Sequence, residues 1–278
     1  MDATSLVRDL ARHPETGSRL PVLFIGHGSP MNAIEETEFS RAWADLALRL
    51  PRPRAVLCVS AHWETRGTRV TAMARPRTIH DFHGFPPELH ARQYPAPGSP
   101  ETAQLTRETV RQTEVQPDVE WGLDHGAWAV LARMYPQADV PVVQLSLDQG
   151  KTPEAHYALG RELQSLRDRG VLIVGSGNIV HNLRRMVWEE EAFDWAVEFD
   201  EAVRARLLAR DHAALVQPGR LGRAASLAVP TPEHYLPLLY VAAAAVAAEP
   251  LEFFAERVMF GSISMRGVAF GLSPGRTE

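Results

Sequence analysis

The chain has 278 residues, 45% of them hydrophobic and 23% charged, which is ordinary globular composition and enough to bury a substantial core. A net charge of −5 with scattered arginines argues against a nucleic-acid surface. The lone cysteine, Cys58, excludes an intrachain disulfide framework and a cysteine-built zinc site.

The N-terminal segment carries Asp2, Arg8, Asp9 and Arg12 with no apolar stretch, so no secretory signal is expected. Residues 21–26 read as a first strand and 55–60 as a second, with Cys58 a core thiol inside it. The stretch 75–100 is rich in proline and cannot form a long helix or strand; its aromatics and histidines mark it as a functional loop rather than a disordered one. Further strands are expected at 140–145 and 171–175, and their unbroken Val/Ile/Leu runs suit a sheet covered on both faces. Amphipathic helices are expected at 153–168, stopped by Gly170, and at 191–209. Another helix opens at Thr231-Pro232-Glu233, with Thr231 as N-cap. The longest apolar run, 236–248, is too short to span a bilayer, so no membrane partner is expected and the chain is assigned to the cytoplasm. Two tail strands, 252–260 and 262–270, flank Gly261. The fold class is α/β, a single domain with a central, mainly parallel or mixed sheet flanked by helices.

The chain holds 11 histidines, and what matters is how many end a strand. In open parallel sheets ligands bind at the carboxyl ends of strands. His27 follows the first strand, His62 the second, and His181 follows 171–175 through Gly175-Ser176-Gly177-Asn178. Parallel strands bring all three to one edge, where a divalent metal is the simplest common purpose. Taken singly, each reads more readily as a hydrogen-bonded loop histidine, a reading that is harder to sustain for all three together. His125 begins a helix behind Asp124, and His234 lies in the turn after Thr231. His13, His156 and His212 read as structural, and His80, His83 and His90 in the proline-rich loop are weak ligand candidates. There is no H-E-x-x-H, P-loop or G-x-S-x-G pattern.

The motifs Gly26-His27-Gly28-Ser29-Pro30, Ser60-Ala61-His62-Trp63, His80-Asp81-Phe82, Tyr94-Pro95-Ala96-Pro97-Gly98, Leu123-Asp124-His125-Gly126 and Gly175-Ser176-Gly177-Asn178 occur in this order. Together they resemble the 4,5-DOPA extradiol dioxygenase-like family, a branch of the class III extradiol ring-cleaving dioxygenases, the superfamily that also holds the catalytic β subunit of protocatechuate 4,5-dioxygenase. The resemblance covers about 20–272, giving a catalytic domain at 20–272 and an N-terminal extension at 1–19. It implies a metal, Zn²⁺ or Fe²⁺, held at the strand ends by His27 and His62. Better-known members supply a carboxylate as third ligand; here the matching segment is Pro232-Glu233-His234-Tyr235, and in the DOPA-type branch the histidine takes that place. His181 matches the catalytic base and is also a candidate ligand, and His125 matches a second active-site histidine. The implied substrates are a catechol and O₂, and the expected assembly is a monomer or small homo-oligomer.

Ring opening asks for a base to take a phenolic proton and a donor to assist O–O cleavage, which suits His181 and His125 respectively. Asp81 and Tyr94 are expected to face the substrate from the 75–100 loop, and Trp63, Phe82 and Phe85 are candidate walls of an apolar pocket. An all-imidazole ligand set also suits zinc, whose bound water ionises near pH ~7. A zinc hydrolase or other non-redox metalloenzyme is therefore the competing reading, and a non-catalytic metal-binding module the third.

Overall fold

The computed structural model describes residues 19–189 and 191–272. The N-terminal extension apart from Arg19, the leader question and His13 lie outside the described residues. The strands are β1 (Val22–Gly26), β2 (Ala55–Thr65), β3 (Thr68–Thr71), β4 (Val115–Asp118), β5 (Val142–Asp148), β6 (Val171–Gly177), β7 (Leu251–Phe254), β8 (Val258–Met259), β9 (Ile263–Ser264) and β10 (Gly267–Phe270). The longer helices are α1 (Glu38–Arg49), α2 (Pro100–Thr109), α3 (His125–Met134), α4 (Pro153–Leu163), α5 (Asp194–Leu208) and α6 (Leu236–Ala244).

One mixed sheet runs in the order β4-β3-β5-β2-β6-β1-β10-β7. Its centre, β5-β2-β6-β1, is parallel, while β3 joins β5 and β10 joins β1 antiparallel. Every residue of β1, β5 and β6 is buried, as the apolar runs require when helices cover both faces. The apolar residues of α4, α5 and α6 form the core on one face, and those of α1 and α3 the core on the other. This confirms the α/β sheet expected from the sequence.

Local signals explain most element ends. Thr37 and Ser40 cap α1 reciprocally, and Phe39, Trp43 and Leu46 give it one buried face. Gly170 closes 153–168 in the left-handed region, although its last turn tightens to a 3₁₀ helix, Gln164–Arg169. The helix expected from Thr231 is corrected: α6 starts at Leu236, and the Thr231 hydroxyl donates to Glu233 instead of capping. The tail is also more broken than expected, since 252–260 divides into β7 and β8 and 262–270 into β9 and β10. Gly261, with φ 75°, makes the turn between β8 and β9. No helix among the described residues is long and apolar enough to cross a membrane.

The apolar run at 236–244 is a helix buried on all sides. It lies directly on β6: a Cβ added at Gly175 would come 2.5 Å from the Pro237 carbonyl oxygen. Across α4 and α6, buried His156 shares a 2.8 Å hydrogen bond between its Nδ1 and the Tyr240 hydroxyl. Burial, opposed only in part by Asp148, lowers the His156 pKa to about 4. The unfolded chain, with its histidine near 6.5, therefore takes up this proton first as the medium acidifies. The resulting stability is fully present above ~6.5 and is lost as pH falls toward 4, an effect on the order of 3 kcal/mol. In His156→Gln, urea unfolding measured from pH 7 to pH 4 should show a shallower acid decline than in the parent chain.

Candidate metal centre

The carboxyl ends of β1, β2 and β6 open toward one another, and the first residue past β1 is His27. Its backbone N–H donates to the Gly177 carbonyl at 3.1 Å, which anchors it to the end of β6. Its Nδ1 lies 2.9 Å from Ser176 Oγ, and its Nε2 lies 3.1 Å from Nε2 of His62. His62 lies within β2 rather than after it, because that strand continues to Thr65. The β2–β5 register shifts between Val59 and Glu64, an irregularity of the kind that re-aims a side chain. His234 precedes α6 and is fixed by Glu233, whose Oε1 is 3.0 Å from its Nδ1. One nitrogen from each of His27, His62 and His234 lies within 4.8 Å of the others.

His125 and His181 flank this group. His125 opens α3, which Asp124 caps by accepting the Ala127 N–H at 3.2 Å. Its ring centroid is 3.9 Å from that of His62. The His181 ring stacks on His234 at 3.4 Å and 9°, and its backbone N–H donates to the Ala228 carbonyl. Burial, together with the neighbouring imidazoles, holds His27 and His62 well below the ordinary histidine range and brings His181 to about 3. Burial also lowers His234, against the pull of Glu233. These four rings are neutral near pH 7, and their lone pairs are free to ligate.

The residues fit a divalent cation. His234 Nε2 is buried without a hydrogen-bond partner, and the His27 and His62 Nε2 atoms face each other with little separation. Carboxylates stand on the far side of the rings, Glu233 behind His234 and Asp81 behind His62, a common support for metal-binding histidines. Neutral imidazoles suit zinc or ferrous iron.

The structure places the other expected residues unevenly. Asp81 reaches the histidines, but its Oδ1 is engaged by one of them. Oδ2 is 3.4 Å from His62 Nδ1, and Oδ1 accepts the His125 backbone N–H at 2.9 Å. Oδ1 also lies 3.1 Å from His125 Nδ1, out of line for a hydrogen bond to the ring. Burial pushes Asp81 upward, but the His125 contacts outweigh it and leave the carboxyl below its ordinary range. Tyr94 requires correction. It is buried in the α3-side core, and its hydroxyl donates to the Tyr135 carbonyl at 3.1 Å, so it anchors the loop instead of facing the site. Phe82 meets the His125 ring edge-on at 5.6 Å with Phe85 packed against it, and Trp63 stacks on Trp121. His80 is tied to the Arg92 carbonyl, and His80, His83 and His90 belong to none of the candidate ligand groups.

Several supporting residues carried no signal of their own in the sequence. Ser176 holds His27, Ser60 donates to Asp124 at 2.7 Å, and Gln144 both donates to that carboxylate and accepts the Asp124 N–H. The available hints are that Ser60, Asp124 and Ser176 fall inside the motifs that carry the family resemblance.

With this geometry established, comparison with known proteins defines the class. The sequence matches the family described as the catalytic LigB subunit of aromatic ring-opening dioxygenase over residues 21–271. The chain belongs to that family and is an oxidoreductase, an aromatic ring-opening dioxygenase. It is 47% identical over 275 residues to the 4,5-DOPA dioxygenase extradiol of Escherichia coli (strain K12), covering 96% of this chain and 100% of that one. It is 38% identical over 223 residues to the 4,5-DOPA dioxygenase extradiol of Beta vulgaris, covering 77% and 83%. The crystal structure of an uncharacterized protein from Escherichia coli K12 superposes with a TM-score of 0.80 at 45% identity, covering 91% of this chain and 100% of that one.

The tightest backbone contact at the site is between β6 and His234. A Cβ on Gly177 would come 2.1 Å from the His234 carbonyl oxygen, which accepts the Asn178 N–H at 2.9 Å. Gly177→Ala should therefore displace His234, cost roughly 1–3 kcal/mol in urea unfolding, and weaken retention of added Zn²⁺ through dialysis.

Proposed function

We propose that the chain is an extradiol dioxygenase that opens a catechol-type, DOPA-like ring with O₂ at one divalent metal held by His27, His62 and His234. The observation that carries this reading is the convergence of these three neutral imidazoles in a chain of the ring-opening family. When bound, ferrous iron would supply the electron transfer between catechol and O₂ that zinc, lacking redox chemistry, does not. The DOPA-like substrate rests on the relatives, of which the Escherichia coli one matches 96% of this chain.

His181 is assigned as the base rather than a ligand. Its ring lies face to face with His234, and its nitrogens group with Glu233 and His234 but not with His27 and His62. A neutral imidazole there can accept a phenolic proton. His125, on the opposite flank beside His62, is assigned to proton donation at the oxygen stage. Asp81 fixes its position through the backbone N–H, and Phe82 closes one side of its ring against water. Asp81 is thus a positioning residue for His125. The domain spans 20–272, with 1–19 as an extension.

Two sets of variants test the assignment. His27→Ala and His62→Ala should each lose stoichiometric metal, read by elemental analysis; full retention in both would sink the ligand set. His125→Ala should keep its metal and bind catechol without oxygen, followed optically, while oxygen uptake falls ~10²–10⁴-fold. His181→Ala should instead weaken anaerobic catechol binding. The reverse pattern would exchange the two roles, and a parent chain that takes up no oxygen with any catechol after Fe²⁺ loading would favour the non-redox zinc reading.

A further inference from the structure

We infer that Ser176 is a positioning residue for the metal, because its hydroxyl dictates which nitrogen of His27 carries the proton. The inference rests on the metal-centre reading above and assigns a role within it.

Ser176 Oγ lies 2.5 Å from the Gly126 carbonyl oxygen and 2.9 Å from His27 Nδ1. Two oxygens that close repel unless a hydrogen lies between them, and a carbonyl has none to give. The single hydroxyl hydrogen therefore points at Gly126. Ser176 can then meet His27 only as an acceptor, so the ring carries its hydrogen on Nδ1 and leaves Nε2 bare. Nε2 is the nitrogen that faces His62.

The surroundings give the hydroxyl no alternative. Ser176 is completely buried on the fully buried β6. Its neighbour in parallel register, Ser60 on β2, is committed elsewhere, donating to Asp124 and accepting the His62 N–H at 3.2 Å. The two adjacent serines thus hold the start of α3 from two strands. A Cβ on Gly126 would come 2.5 Å from Ser60 Oγ, so that start has no room to shift. His27 and the helix that carries His125 share one hydroxyl.

His62 lacks an equivalent lock, since its Nδ1 stands 3.4 Å from Asp81. In the metal-free chain it can hold its proton on either nitrogen, including the one facing His27. His27 cannot, and it is the ring preset to ligate.

The test uses the full chain. Histidine-selective ¹⁵N NMR of the metal-free protein, with the His27 signal assigned by its loss in His27→Gln, should show the hydrogen on Nδ1. In Ser176→Ala the same signal should report a mixture of tautomers, and Zn²⁺ affinity by chelator competition should fall ~10–100-fold, the usual effect of removing a partner behind a ligand. A hydrogen on Nε2 in the parent chain overturns the inference. So does a Ser176→Ala chain that unfolds at a lower temperature yet keeps the parent's tautomer and Zn²⁺ affinity, which would mark a purely structural serine. His27→Ala separates the two levels of the argument: if it keeps its metal, the centre itself is wrongly assigned, whereas if it loses metal that Ser176→Ala retains, only the serine inference falls.

Discussion

Five imidazole rings packed at one end of a sheet can coexist only while most of them are uncharged, and the rest of the site follows from this. The His27, His62 and His234 centroids lie 5.0–5.4 Å apart, with His125 and His181 closer still to single members of the group. Each proton added to His27 or His62 would place a charge in a buried space beside other rings, and burial is the larger of the two penalties. Neutrality makes the cluster a set of donors for a cation. It also makes the cluster expensive to assemble, because neutral rings still need partners for their N–H groups.

The fold meets that need from behind. Ser176 serves His27, Glu233 serves His234, and Asp81 stands behind His62 while fixing the first residue of α3. These partners come from a strand end, a turn and the proline-rich loop, so the site is assembled from distant segments that the parallel sheet brings to one edge. Buried Asn178 and Ser264 then tie the segment leading to His181 onto β9, and Asp200 with Arg266 anchors that strand to α5 through a buried ion pair. Breaking such a pair on one side typically costs ~3–5 kcal/mol, so the tail supports the site it borders.

The ligand candidates were legible because strand-ending histidines are a property of order along the chain. Val/Ile/Leu runs place β1 and β6, and the residues just past them fall at the sheet edge whatever the details. His62 was found for a partly mistaken reason: β2 extends past it, and a register shift rather than the strand's end turns it inward. β3 and β4 passed unnoticed, being short, polar and at the margin of the sheet. Tyr94 shows where spacing fails, since a loop's path over a site does not say which side chains turn down and which turn back into the core. The supporting serines were illegible for a similar reason. Their role depends on where a single hydrogen points, and that is set by register between strands more than 100 residues apart in sequence, as with Ser60 and Ser176.

The proposed exchange of a carboxylate ligand for His234 has a physical reading. Where better-known members of the superfamily supply an acidic ligand, the chain has Glu233 followed by His234. The glutamate is not discarded: it stands 3.0 Å behind the ring, and although burial pushes its pKa up, the hydrogen bond to His234 prevails and holds it at about 2. Asp81 occupies the corresponding position behind His62 and is likewise held ionised against its burial. The negative charge a carboxylate ligand would place on a cation is thus present, but would stand one imidazole away from it. At that distance it would still offset a divalent charge through a low-dielectric interior, while leaving the ligand atoms neutral. With His27, His62 and His234 as the proposed ligands, the arrangement would keep the electrostatic balance of an acidic ligand and change only the atom that touches the metal, so that a scaffold of the ring-opening family would carry a ligand set like that of a zinc enzyme.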